Sequence, residues 1–166
     1  MILDATAIVS LLAGEPGAGE VETLLDGGGE FAMSEWNRVE ALDYFLRRGA
    51  SVTEFDLLVD RHGIDFVAVD RRLSTLAAEI RNVVYHQELC PLSLADCLAV
   101  GLALDRDEEL VTSDAGQAMA ALVFRCAIVP FKNSLGNLPQ SSAEFTRWTK
   151  RTDRQASADA VLLRYR

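Results

Sequence analysis

The stretch Met1-Ile2-Leu3-Asp4-Ala5-Thr6-Ala7-Ile8-Val9-Ser10-Leu11-Leu12-Ala13 sets the architecture. Its first apolar residues read as a short strand ending at Asp4, and Thr6 to Ala13 reads as a helix with an apolar face. Gly14-Glu15-Pro16-Gly17 breaks that helix. Downstream the pattern repeats. Val21, Leu24 and Leu25 sit at helical spacing until Gly27-Gly28-Gly29. Phe31-Ala32-Met33 is a second strand, and a helix beginning at Ser34 or Glu35 carries the stripe Trp36, Val39, Leu42, Phe45 and Leu46. Another helix opens at Ser51 or Thr53 and stops at His62-Gly63.

Ile64 to Val69 alternates and is rich in β-branched residues, which predicts a strand. Residues 71–86 are helical, and Cys90-Pro91-Leu92 is a linker. Ser93 caps a helix over 94–105, with Asp96 at the capping-box position. Residues 109–112 form a strand, 115–123 a helix and 126–129 a last strand. Strands separated by helices need crossover connections. The expected fold is therefore α/β: a three-layer α/β/α sandwich around a mainly parallel sheet of four to five strands.

Residues 1–132 form the expected domain. Residues 133–166 have few large apolar residues before Val161-Leu162-Leu163, and are expected to be a basic, partly disordered tail with a short helix near 156–165. The whole chain carries a net charge of −9, yet the tail alone has 6 basic and 3 acidic residues. An acidic protein is a poor partner for phosphates unless bound cations neutralise part of its charge.

About half of the 166 residues are apolar, enough for a core without disulfides. The cysteines, Cys90, Cys97 and Cys126, are odd in number and form no Cys-x-x-Cys, so reduced thiols are expected. There is no signal-peptide pattern and no run approaching about 18 apolar residues, so a soluble, cytoplasmic protein without membrane contact is expected.

In a parallel sheet, chemistry gathers at the carboxyl ends of the strands. Asp4 ends the first strand, and Asp114 follows strand 109–112. Glu40 lies in the second turn of the helix after strand 31–33, and Asp96 opens the helix that feeds strand 109–112. Each acid stands among apolar neighbours, where a lone carboxylate is costly to bury. Any one of them has a structural explanation, as a cap or an ion pair. Four at one sheet edge repel strongly unless cations lie between them. Mg²⁺ or Mn²⁺ suits such oxygen ligands and would prepare the site for a phosphodiester. Thr6, Thr112 and Ser113 add supporting hydroxyls.

The chain opens Ile2-Leu3-Asp4-Ala5-Thr6-Ala7 and continues with Gly14-Glu15-Pro16-Gly17, Ser34-Glu35-Trp36-Asn37-Arg38-Val39-Glu40, Leu92-Ser93-Leu94-Ala95-Asp96 and Leu110-Val111-Thr112-Ser113-Asp114. In this order the segments resemble the PIN-domain family, and within it the VapC-like toxins of toxin–antitoxin pairs. The resemblance covers residues 1 to about 132. It implies a PIN-like sandwich and an Mg²⁺- or Mn²⁺-dependent endoribonuclease with Asp4, Glu40, Asp96 and Asp114 as catalytic, metal-holding acids. It also implies a cognate antitoxin seated among the first helices, and a homodimer.

Candidate RNA contacts are Arg47, Arg48, Arg147, Lys150 and Arg151, although basic pairs are usually a solvated face. His62 and His86 lack metal-ligand spacing. One alternative is a phosphatase with Asp4 as nucleophile, for which Thr6 stands where a second Asp is wanted. Another is a non-catalytic module that docks RNA or protein.

Overall fold

A computed structural model describes residues 1–165. Five parallel strands form one sheet: β1 (Ile2–Leu3), β2 (Phe31–Ser34), β3 (Ile64–Val67), β4 (Leu110–Thr112) and β5 (Ile128–Pro130), in the order β3-β2-β1-β4-β5. The first half of the chain adds α1 (Ala5–Ala13), α2 (Ala18–Asp26), α3 (Glu35–Leu46) and α4 (Val52–His62). The second half adds α5 (Arg71–Val84), α6 (Leu94–Arg106), α7 (Ala115–Phe124), α8 (Ala143–Arg151) and α9 (Arg154–Tyr165). No helix among the described residues is long and apolar enough to cross a membrane.

Period-two alternation deals the strand residues to two separate cores. Leu3, Phe31, Met33 and Val111 pack with the buried residues of α1 to α4, including Ile8, Val21, Phe45 and Phe55. Ile2, Ala32 and Leu110 pack with α5 to α9, including Leu76, Ile80, Val100 and Phe124. This is the expected three-layer sandwich, with five strands.

Local signals end the elements where the chemistry requires. Gly14 and Gly63 close α1 and α4 in the left-handed region, at φ 62° and 59°. Ser93 and Asp96 form a complete capping box at the start of α6. Gly17 has no room for a side chain, because a Cβ there would lie 2.1 Å from the Lys132 carbonyl oxygen.

Residues 133–165, expected to belong to a partly disordered tail, carry α8 and α9, and Arg166, the last residue of that expected tail, lies outside the described residues. Phe145 of α8 and Ala158 and Val161 of α9 are buried in the same core as Ile2. The expected helix near 156–165 is the larger part of α9. Trp148 stacks edge-on against His86, and Arg154 lies over the Trp148 ring. The His86 segment pairs with Cys90, whose Sγ approaches the Gly116 carbonyl at 3.7 Å. The C-terminal helices thus brace the loop that runs into α6.

Candidate active site

The strand order reverses beside β1. The chain places β2 and β3 on one side of it and β4 and β5 on the other. A crevice at such a switch point, at the carboxyl ends of the strands, is where α/β sheets bind ligands. β1 and β4 are paired there, with Leu3 opposite Val111, so Asp4 and the Thr112-Ser113-Asp114 segment leave the sheet together.

Asp4 is 1 % exposed and N-caps α1. Its Oδ2 accepts from the Thr6 hydroxyl at 2.7 Å and the Thr112 hydroxyl at 3.4 Å, and its Oδ1 accepts from Asn37 Nδ2 at 3.3 Å. Burial, then the Asp96 charge, pushes its carboxyl up to about 6; hydrogen bonds from Gln117 and Thr6 oppose the rise, and Asp114 adds to it. Thr6 Oγ1 also accepts from the Ser113 N–H, and Thr112 Oγ1 accepts from the Asp114 N–H. The Thr6 and Thr112 hydroxyls therefore tie β1 to β4 through the Asp4 carboxylate, whereas Ser113 contributes its backbone N–H.

Asp114 N-caps α7 by accepting the Gln117 N–H at 2.8 Å. Burial raises its carboxyl, the Gln117 amide opposes that, and Asp96 adds to the rise. Asp96 accepts from the Ser93 N–H on one oxygen at 2.6 Å and from Gln117 Nε2 on the other at 2.9 Å. Glu40 lies at the solvent side of α3, yet partial burial followed by the charges of Asp4, Asp96 and Asp114 pushes its carboxyl up to about 7. All four acids thus share one electrostatic site.

Two amides that the sequence reading passed over complete it. Asn37 donates to both Asp4 and the Ala95 carbonyl, linking α3, β1 and α6. Gln117 stands between Asp96 and Asp114. The available signals were the Ser34-x-x-Asn37 and Asp114-x-x-Gln117 spacings, which place an amide in the first turn of a helix.

The basic candidates lie elsewhere. Arg47 is exposed and paired with Asp43, and Arg48 covers the Tyr44 ring. Arg147, Lys150 and Arg151 are exposed on α8. His62 ends α4 facing Asp26, and His86 accepts the Glu88 and Leu89 N–H groups; neither is placed with the four acids.

As the side chains stand, no group of three or more His, Cys, Asp or Glu among the described residues is arranged to hold a metal ion. The aspartates are satisfied by protein donors. The donor set nevertheless fits a hard divalent cation, since every acid offers oxygen, and burial followed by the charges of their neighbours raises Asp4, Glu40 and Asp114. No Lys or Arg among the described residues forms an ion pair with any of the four.

The family model for the PIN domain matches residues 1–122, the part of the chain that holds all four acids. The chain belongs to the PIN domain family. PIN domains are generally nucleases. Among solved structures, the PIN fold here is similar to a toxin–antitoxin complex from Klebsiella pneumoniae, with 16 % identity over 70 % of this chain and 88 % of that one, at a TM-score of 0.53. It is also similar to VapBC2 from Rickettsia felis bound to a DNA fragment from their promoter, with 15 % identity over 79 % of this chain and 98 % of that one, at a TM-score of 0.58. At these identities the likeness is one of fold. No curated protein matches the chain.

Proposed function

We propose that this PIN domain is a divalent-metal-dependent endoribonuclease and the toxin of a toxin–antitoxin pair. The observation that carries the reading is the coupling of Asp4, Glu40, Asp96 and Asp114 at the switch point between β1 and β4. These four residues would hold Mg²⁺ or Mn²⁺. Bound there, the cation would neutralise the acids and activate water for in-line attack on an RNA phosphodiester. Asp4 is kept in place by Thr6, Thr112 and Asn37, and Glu40, whose carboxyl is pushed up to about 7 by burial and the neighbouring acids, would give up its proton when a cation is held there. Asp96 sits in the capping box of α6 and Asp114 N-caps α7, which keeps both carboxylates at the switch point.

Two further parts of the reading rest on other observations. The likeness in fold to two toxin–antitoxin complexes supports a cognate antitoxin as partner. Exposed Trp36 and Val39 on α3 and Leu94 at the start of α6 support pairing of two copies as a homodimer, which light scattering checks. The nuclease unit comprises residues 1–132, and the α8–α9 region is an accessory to it, offering Arg147, Lys150 and Arg151 to RNA. A phosphatase with Asp4 as nucleophile is less well supported, because Asp4 is buried and both its oxygens accept hydrogen bonds.

The test is RNA cleavage by purified protein. EDTA should abolish it, Mn²⁺ or Mg²⁺ should restore it, and Asp96→Asn should remove it while the circular dichroism stays native. Cleavage that survives chelation refutes the reading.

A further inference from the structure

Gln117 is a fully buried polar side chain, 0 % exposed, outside the set of four acids. It touches the site at more than one point. Its backbone N–H donates to Asp114 Oδ1 at 2.8 Å and its Nε2 donates to Asp96 Oδ1 at 2.9 Å. Its own oxygen, Oε1, is buried and has no hydrogen-bond partner among the described residues.

That combination has a chemical logic. A buried acceptor without a donor is unfavourable, and an apolar side chain of similar length would avoid it. A glutamate at this position would add a fifth like charge, and a lysine would occupy the place of a cation. An amide gives a hydrogen to one carboxylate while keeping an acceptor free.

Resting on the nuclease reading above, we propose that Gln117 is a positioning residue of the carboxylate site: its NH₂ group holds Asp96 beside Asp4, and its free Oε1 receives a hydrogen from the hydration shell of the bound cation. Outer-sphere partners of this kind commonly change metal affinity by about 10–100-fold when removed.

The test has two arms. In the first, Mn²⁺ binding is measured by calorimetry at pH 8 on the full chain. Gln117→Met keeps the length but has neither amide group, and should weaken binding by about tenfold or more. Gln117→Glu keeps an acceptor and should bind more tightly than the Met variant. Equal affinities for wild type and Gln117→Met overturn the proposal. Should the Met variant fail to fold, Gln117→Asn takes its place, since its shorter arm cannot span the same distances; wild-type affinity in that variant is equally damaging.

The second arm uses metal-free protein. The side-chain NH₂ hydrogens of Gln117, followed by ¹⁵N NMR, should exchange slowly with water, and Asp96→Ala should accelerate them at least about tenfold. An unchanged rate shows that Gln117 does not hold Asp96. If the wild type binds no Mn²⁺ at all, the nuclease reading and the role of Oε1 fail together, while the exchange rates still decide whether the amide secures the aspartate.

Discussion

Replacing Asp4 by asparagine should stabilise the metal-free protein at alkaline pH, although it removes a central residue of the site. In the folded chain the Asp4 carboxyl titrates at about 6, against 3.8 for the free side chain. The folded state therefore binds the proton more tightly than the unfolded state. Stability must fall as pH rises from about 4 to about 6, and stay low above that. At about 1.4 kcal/mol per pH unit, ionised Asp4 costs the fold about 3 kcal/mol.

The substituted amide would keep an acceptor oxygen at the Oδ2 position for the helix cap and for the Thr6 and Thr112 hydroxyls, but would lose the hydrogen bond from Asn37, which subtracts about 1 kcal/mol. A net gain of about 2 kcal/mol raises the melting temperature by about 4–8 °C for a chain of this size. The assay is thermal denaturation of both proteins in EDTA at pH 8 and pH 4.5. The Asp4→Asn variant should be the more stable at pH 8, and the gap should close at pH 4.5. Adding Mg²⁺ should stabilise the wild type and leave the variant nearly unmoved. A variant less stable than wild type at pH 8, or a gap independent of pH, refutes the account of Asp4 as a repelled, desolvated charge.

The remaining predictions concern metal loading and packing. Because Glu40 titrates at about 7 and Asp4 at about 6, and cations need both deprotonated, calorimetric Mn²⁺ affinity should rise with pH through that window and level off by pH 8. Gly17→Ala drives a methyl against the Lys132 carbonyl and the Phe131 ring, and should lower stability in urea by about 1–3 kcal/mol. Phe145→Ala should cost about 3–5 kcal/mol, because the ring is buried in the core beneath α8; a mobile segment there would give almost no change.

The elements were legible because their periodicities are local. The strand over 64–67 alternates, the α3 stripe repeats at helical spacing, and the Ser93–Asp96 box is written within four residues. The order β3-β2-β1-β4-β5 was not legible, since it depends on pairings between residues far apart, such as Ile2 with Leu110. The helix near 156–165 was legible but α8 and the packing of α9 were not, because alanine marks the core weakly: Ala158 is fully buried in α9 but is too small to reveal which face it occupies. The four acids stood out as charges within apolar runs. Asn37 and Gln117 did not, because a neutral amide in the first turn of a helix looks like ordinary surface until its burial is known.

The first strand is only two residues long, and those two residues serve opposite sides of the molecule: Ile2 belongs to one core and Leu3 to the other. One residue added or deleted before Asp4 would exchange the partners of both and turn the carboxylate away from Thr112 in the same stroke. The chain has no slack with which to retune its chemistry independently of its packing there. Variation should therefore be tolerated in the size of the two side chains and rejected in their number.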